Sequence, residues 1–161
     1  MRERTAPPAG NLQRRRTDGA RILVVEDHED FRALLELTLQ QAGYVVESVA
    51  SSEDAISTLT DSSYDLLIVD YALPGHSGAW LLAQARGIYA RNDVPSLMIT
   101  GDPDAPGIPD DVTVIGKPVD FDQMLARVRA ILANTSTRDR RARHGGEQAR
   151  ATQHSTEAGL S

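Results

Sequence analysis

The sequence predicts an α/β domain, a doubly wound five-stranded parallel sheet with helices on both faces. Three observations carry that prediction. Aliphatic runs such as Leu66–Val69 (LLIV) show no polar alternation, so each reads as a strand covered on both sides. Segments with helical apolar spacing separate those runs through short loops, and strand–helix alternation builds a parallel sheet. Acidic residues and one lysine recur where the strands end, and the carboxyl edge is where open parallel sheets bind ligands.

The elements follow in order. Arg21–Glu26 (RILVVE) is the first strand. Phe31, Leu34, Leu35, Thr38 and Ala42 then recur at helical spacing, and Gly43 stops that helix by accepting a conformation other residues avoid. Tyr44–Val49 is the second strand. Ser51 and Asp54 form a capping box for a short helix carrying Ala55, Ile56 and Leu59. Leu66–Asp70 is the third strand, and Gly78–Tyr89 a helix with Leu81, Leu82, Ala85 and Ile88 inward. Pro95–Thr100 and Val112–Ile115 are the fourth and fifth strands. Asp120 with Gln123 caps a last helix, whose apolar stripe is Phe121, Met124, Leu125, Val128, Ile131 and Leu132.

Composition limits the rest. The 161 residues leave room for one domain, and 40% hydrophobic with 25% charged residues is ordinary for a soluble protein. No apolar run approaches the ~20 residues of a membrane helix. The amino-terminal MRERTAPPAGNLQRRR has no apolar stretch of the secretory kind, and cysteine is absent, so a cytoplasmic location is expected. The net charge of −6 is unevenly spread: residues 1–20 carry +3, residues 134–161 carry +2, and residues 21–133 carry −11. An acidic domain over 21–133 is therefore expected between two disordered basic tails, the second rich in arginine. The tails are read as solvated, with nucleic acid or anionic lipid as the other possible contact. The 28 polar residues after Ala133 are too few and too polar to bury a core, so no DNA-binding output domain is expected.

Chemistry concentrates at the strand ends. Strand one runs into Glu26-Asp27, strand three ends on Asp70, strand four on Thr100, and strand five leads to Lys117-Pro118. One such acid is readily explained as a helix cap. Three carboxylates on one edge repel each other and call for a cation, and an all-oxygen set suits a hard ion such as Mg²⁺ rather than zinc. Lys117 is the only lysine among 17 basic residues, a compact charge on a flexible stem placed beside the acids. A hydroxyl, an ammonium and a metal around a carboxylate are what stabilising a phosphoryl group requires. They would also compensate Asp70, whose charge is otherwise costly at the end of a buried strand.

Taken together, ILVVED, LLIVDYALPGHSG, LMITG and IGKP resemble the response-regulator receiver domain of two-component signalling, from Ala20 to about Ala133. The resemblance implies a flavodoxin-like receiver topology. It implies that Asp70 accepts a phosphoryl group from a phosphohistidine on a histidine kinase or histidine phosphotransfer protein. It further implies that Glu26, Asp27, Asp70 and the backbone carbonyl of Ala72 hold Mg²⁺, that Thr100 is the switch hydroxyl, and that Lys117 contacts the phosphoryl oxygens. Lys117-Pro118 matches the family's cis peptide. The chain would then be a single-domain response regulator, acting on an unknown downstream protein or in a phosphorelay, with no chemistry beyond its own phosphotransfer and dephosphorylation.

Two departures from the family pattern bear on signalling. The family's aromatic three residues before the lysine is Val114 here, and Thr100 to Lys117 is short and holds Pro103, Pro106, Gly107 and Pro109. A reduced fourth helix, and a response concentrated in residues 101–111 as loop ordering rather than helix displacement, are the expectations that follow. His28 and His76 flank the site and either tune it or are solvated; Trp80 marks either an interface or partial burial. A pseudo-receiver that is never phosphorylated is the alternative reading. Enzymes of the same topology fit worse. A flavodoxin-like phosphate loop conflicts with Glu26-Asp27, and a haloacid-dehalogenase-like phosphatase would need an acid where Ala72 stands.

Overall fold

The structure, a computed structural model, describes residues 19–88 and 94–153, with side chains as far as 137. The elements are β1 (Arg21–Val25), α1 (Glu29–Gln41), β2 (Val45–Val49), α2 (Ser52–Asp61), β3 (Leu66–Asp70), α3 (Gly78–Ile88), β4 (Ser96–Thr100), β5 (Thr113–Gly116) and α4 (Phe121–Gln153). All strands run parallel in the order β2-β1-β3-β4-β5. The doubly wound α/β sheet expected from the sequence is present.

Strand alternation divides the core into two layers. Ile22, Val24, Leu66, Ile68, Leu97 and Ile99 face α1 and α4, meeting Leu35, Leu39, Met124, Val128 and Leu132. Leu23, Val25, Leu67, Val69 and Met98 face α2 and α3, meeting Ala55, Leu59, Leu81, Leu82 and Ala85. Both sets are buried, which is why β1, β3 and β4 read as unbroken apolar runs. Local signals set the ends. The Ser51 hydroxyl accepts from Asp54 N–H at 3.1 Å, and Asp120 Oδ1 accepts from Gln123 N–H at 3.0 Å. Gly43 follows α1 at φ 97°, the left-handed conformation that favours glycine.

Several details differ from the sequence reading. In α1 the buried positions are Leu35 and Leu39, with Phe31 and Ala42 packed beside them, whereas Leu34 is 45% exposed. Two core-facing turns four residues apart suffice under one sheet face, and Leu34 falls off that stripe. Ile88, expected inward, is 39% exposed at the last turn of α3. Strand five starts one residue later, at Thr113, and Val112 packs against the α2–α3 layer instead. Between β4 and β5 the described residues contain no helix, only turns, going further than the reduced helix expected. Pro103, Pro106 and Pro109 each lack the N–H a helix would need.

The arginine-rich segment after Ala133, expected to be disordered, is helical: α4 continues to Gln153. Thr135, Ser136 and Thr137 donate their hydroxyls to the carbonyls of Ile131, Leu132 and Ala133, at 3.0, 3.1 and 3.1 Å. The following residues include no proline, and their arginines, alanines and glutamines favour a helix, against Gly145-Gly146, which do not. Residues 1–18 and 154–161, the remainder of the expected tails, lie outside the described residues.

Candidate functional site

Register brings the strand ends together. β1 and β3 are direct neighbours, with Val25 beside Val69, so Glu26-Asp27 and Asp70 emerge side by side. β4 lies on the other flank of β3, with Asp70 beside Ile99, and Thr100 pairs with Gly116 immediately before Lys117. The Lys117 N–H donates to the Thr100 carbonyl at 2.9 Å, which fixes the start of the lysine. The Lys117–Pro118 peptide is cis, as the resemblance implied.

Asp70 is 3% exposed and held from two sides. Lys117 Nζ donates to Asp70 Oδ2 at 2.7 Å, and Ala72 N–H donates to Oδ1 at 3.0 Å. Across the same space Lys117 Nζ lies 4.0 Å from Glu26 Oε2. One carboxylate oxygen each from Glu26, Asp27 and Asp70 lie within 4.8 Å of one another. The backbone approach here is close. A Cβ on Gly78 would stand 2.3 Å from the Asp70 carbonyl oxygen, so the first residue of α3 has no room for a side chain.

Glu26 is the most costly member. It is 1% exposed, its Oε1 accepts from His28 N–H at 3.0 Å, and its Oε2 is buried without a hydrogen-bond partner. Burial, and after it the adjacent Asp70, push the Glu26 carboxyl up to about 7, against the pull of His28 N–H and Lys117. A buried orphan oxygen beside two further carboxylates fits a bound cation. Three oxygen donors with no histidine or cysteine fit a hard divalent ion such as Mg²⁺. Asp27 is exposed, leaving that face open to solvent and ligand.

Thr100 is 3% exposed, and its hydroxyl is engaged away from Asp70. It donates to the Asp102 carbonyl at 3.0 Å and accepts from Asp102 N–H at 3.1 Å. Val114 is half-buried on β5. The structure thus gathers Glu26, Asp27, Asp70 and Lys117 around one space, with Ala72 and Thr100 at its rim.

The sequence does not single out Arg32, and it gives Phe31 only as part of the apolar stripe of α1. Arg32 Nη1 donates to the carbonyls of Glu26 at 2.9 Å and Asp27 at 3.4 Å, bracing the loop that carries both acids. Phe31 lies under the lysine, Nζ 5.5 Å from the ring centre, and tilts against Phe121 at 6.3 Å. Spacing alone gives no signal that either residue serves the site. His28 acts locally. Its Nδ1 accepts from Phe31 N–H at 3.3 Å and caps α1, which its place before Glu29-Asp30 could have suggested. His76 stacks on Trp80 at 3.8 Å and lies 3.8 Å from Glu53, so each of that pair partly covers the other.

Comparison with known proteins agrees with this geometry. The family model described as "Response regulator receiver domain" matches residues 22–129. The chain is 34% identical over 123 residues to the transcriptional regulatory protein TcrA of Mycobacterium tuberculosis strain H37Rv, covering 72% of this chain and 47% of that one. It is 34% identical over 125 residues to the response regulator ArlR of Staphylococcus aureus strain Mu50, covering 73% and 55%. The chain therefore spans about half the length of these curated relatives. Among solved structures it is similar to the receiver domain of the hybrid histidine kinase CckA, with TM-score 0.60 and 34% identity over 70% of this chain and 98% of that one. No described helix is long and apolar enough to cross a membrane. By fold, strand-end residues and the extent of the match, the chain belongs to the response-regulator receiver domain family.

Proposed function

We propose that this chain is a phosphorylation-controlled signalling module whose acceptor is Asp70. One observation carries the reading: the buried Asp70 carboxylate sits 2.7 Å from the Lys117 ammonium inside a cluster of two further acids. A structural ion pair has no use for the extra carboxylates, whereas phosphoryl transfer needs a cation site and a fixed positive charge around the acceptor.

The donor would be a phosphohistidine on a histidine kinase or histidine phosphotransfer protein. An Asp70 carboxylate oxygen attacks phosphorus, the P–N bond breaks, and its electron pair returns to the imidazole, which takes a proton. The product is an acyl phosphate on Asp70 and a neutral histidine. Lys117 moves its contact from Asp70 Oδ2 to a phosphoryl oxygen, and Thr100 offers its hydroxyl to another. Glu26, Asp27, Asp70 and the Ala72 carbonyl would hold Mg²⁺, which when bound supplies charge neutralisation for the transferring group. Downstream, the module would act by contacts with an unidentified protein or pass the phosphoryl group on in a relay.

The test is intact-mass measurement after incubation with phosphoramidate and Mg²⁺. The wild type should gain one phosphoryl group, and Asp70→Ala none. The second reading, a binding module that is never phosphorylated, draws on Val114 standing where relatives carry an aromatic. It is the one left standing if the wild type gains no mass.

A further inference from the structure

We propose that Tyr71 couples the phosphoacceptor to the segment between β4 and β5 through the bond of its hydroxyl to the Pro106 carbonyl. The inference rests on the phosphoacceptor reading of Asp70.

Tyr71 directly follows Asp70, and its backbone is tied on both sides. Its N–H donates to the Ile99 carbonyl at 2.9 Å, and its carbonyl accepts from Gly78 N–H at 2.9 Å. The next residue, Ala72, donates its N–H to Asp70 Oδ1 at 3.0 Å. The backbone at Tyr71 therefore feels any change in what the acceptor carboxylate demands of its amide partner. The side chain packs against the α2–α3 core layer and carries its hydroxyl outward, where it donates to the Pro106 carbonyl at 2.8 Å.

Pro106 lies in the middle of the helix-free segment. That segment is a cover for the sheet, with Ala105 buried and Ile108 and Val112 packed on the α2–α3 layer. Among the described residues its polar ties run to three places. Asp102 bonds the Thr100 hydroxyl, Pro106 bonds Tyr71, and Asp111 pairs with Arg86 at 2.6 Å, a contact that lowers the Asp111 carboxyl below its ordinary range. Two of these three anchors, Thr100 and Tyr71, are residues whose surroundings change when Asp70 becomes an acyl phosphate. The third stands at the far end of α3.

The coupling has a simple physical basis. Phosphorylation of one Asp70 oxygen, which forms a mixed anhydride, replaces a carboxylate acceptor by a bulky dianion beside the Ala72 amide. A hydroxyl bond of 2.8 Å is lost with a displacement of about 1 Å, so a small shift of the Tyr71 ring releases Pro106. The Thr100–Asp102 bonds are released from the other side as the hydroxyl turns to phosphate. The segment then stays tied at Asp111 and is freed at its start and middle. Val114 has neither ring nor hydroxyl to do this from β5; Tyr71 supplies both from the residue after β3.

The experiment compares full-length wild type with Tyr71→Phe, each with and without beryllofluoride in the presence of Mg²⁺. Phenylalanine keeps the packed ring and removes only the hydroxyl. Amide exchange across residues 102–112 should quicken in the wild type on beryllofluoride binding, by on the order of threefold or more for the loss of one hydrogen bond. Tyr71→Phe should start near the faster rate and change by less than half as much, while still gaining phosphoryl mass from phosphoramidate. A Tyr71→Phe protein that binds beryllofluoride and responds as fully as wild type overturns the coupling and leaves the acceptor role intact. So does a wild-type Tyr71 ζ-carbon signal that does not move on beryllofluoride binding, a readout needing no variant. Absence of binding in both proteins, seen as unmoved Ala72 and Lys117 amide signals, overturns the acceptor role and the coupling with it.

Discussion

Replacing Glu26 by glutamine should make the metal-free protein more stable above neutral pH, at the expense of cation binding. Glu26 titrates at about 7 in the fold against an ordinary 4.5, because it is buried and faces Asp70. Between those values the folded chain holds a proton that the unfolded chain has released, so stability falls as pH rises, by about 1.4 kcal/mol per unit. The stabilisation is complete below pH 4.5 and is gone once pH has passed about 7. Over the interval the loss is on the order of 3 kcal/mol, a large fraction of a domain's 5–15 kcal/mol. Glutamine has nearly the same shape. Its carbonyl can keep the bond from His28 N–H, and its amide places a donor where Glu26 Oε2 has no partner. Urea unfolding of both proteins in chelator, from pH 4.5 to 8.5, isolates the effect as a difference. The two should agree near pH 4.5 and diverge above it, with the variant ahead by about 2–3 kcal/mol at pH 8. A difference that stays flat with pH, or a variant that is weaker at pH 8, would refute the account of Glu26 as a carboxylate strained by burial.

Further expectations concern the same edge. Cation affinity measured by titration calorimetry should fall about tenfold per pH unit below pH 7, with proton release on binding, because the ion competes with the Glu26 proton. Asp27→Ala should leave the fold intact, since it relieves repulsion at an exposed position, and should abolish Mg²⁺-dependent phosphorylation by intact mass; undiminished phosphorylation would remove Asp27 from the metal set. Gly78→Ala should destabilise by about 2–4 kcal/mol in the same unfolding assay, since its Cβ would meet backbone rather than a flexible side chain.

The fold was legible because its signals are local and periodic. Unbroken apolar runs, caps at Ser51 and Asp120 and the stop at Gly43 each depend on a few neighbouring residues. The acids and Lys117 were legible for another reason: parallel topology sends every strand's last residue to one edge, so ends far apart in sequence become neighbours by necessity. What escaped was what depends on reach and direction. Arg32 finds the carbonyls of Glu26 and Asp27 only because α1 turns back over its own entry loop. Tyr71 meets Pro106 across 35 residues, with no pattern in the chain to announce it. The continuation of α4 to Gln153 escaped for the opposite cause. Low hydrophobicity argues against packing, but it does not forbid a helix whose backbone satisfies its own hydrogen bonds.

On the proposed acceptor role of Asp70, the arrangement at Thr100 sets what phosphorylation has to overcome. To face a phosphoryl group, the hydroxyl must surrender two bonds to Asp102, each worth about 0.5–1.5 kcal/mol net. Lys117 must leave Asp70 Oδ2, but it exchanges one anionic oxygen for another and loses little. In return the dianion offers charge-assisted bonds of about 1.5–3 kcal/mol each, made only in the rearranged state. A ligand shifts a conformational equilibrium by its differential affinity alone, so the available drive is the one charge-assisted bond Thr100 gains less the two it gives up, at most about 2 kcal/mol. That corresponds to a shift of roughly 30-fold at most. A shift of this size is a switch only if the resting chain already visits the rearranged state at around the per cent level. Holding the 101–112 segment with a few hydrogen bonds, the Arg86–Asp111 pair and the packing of Ala105, Ile108 and Val112, in place of a regular helix, keeps that resting population within reach.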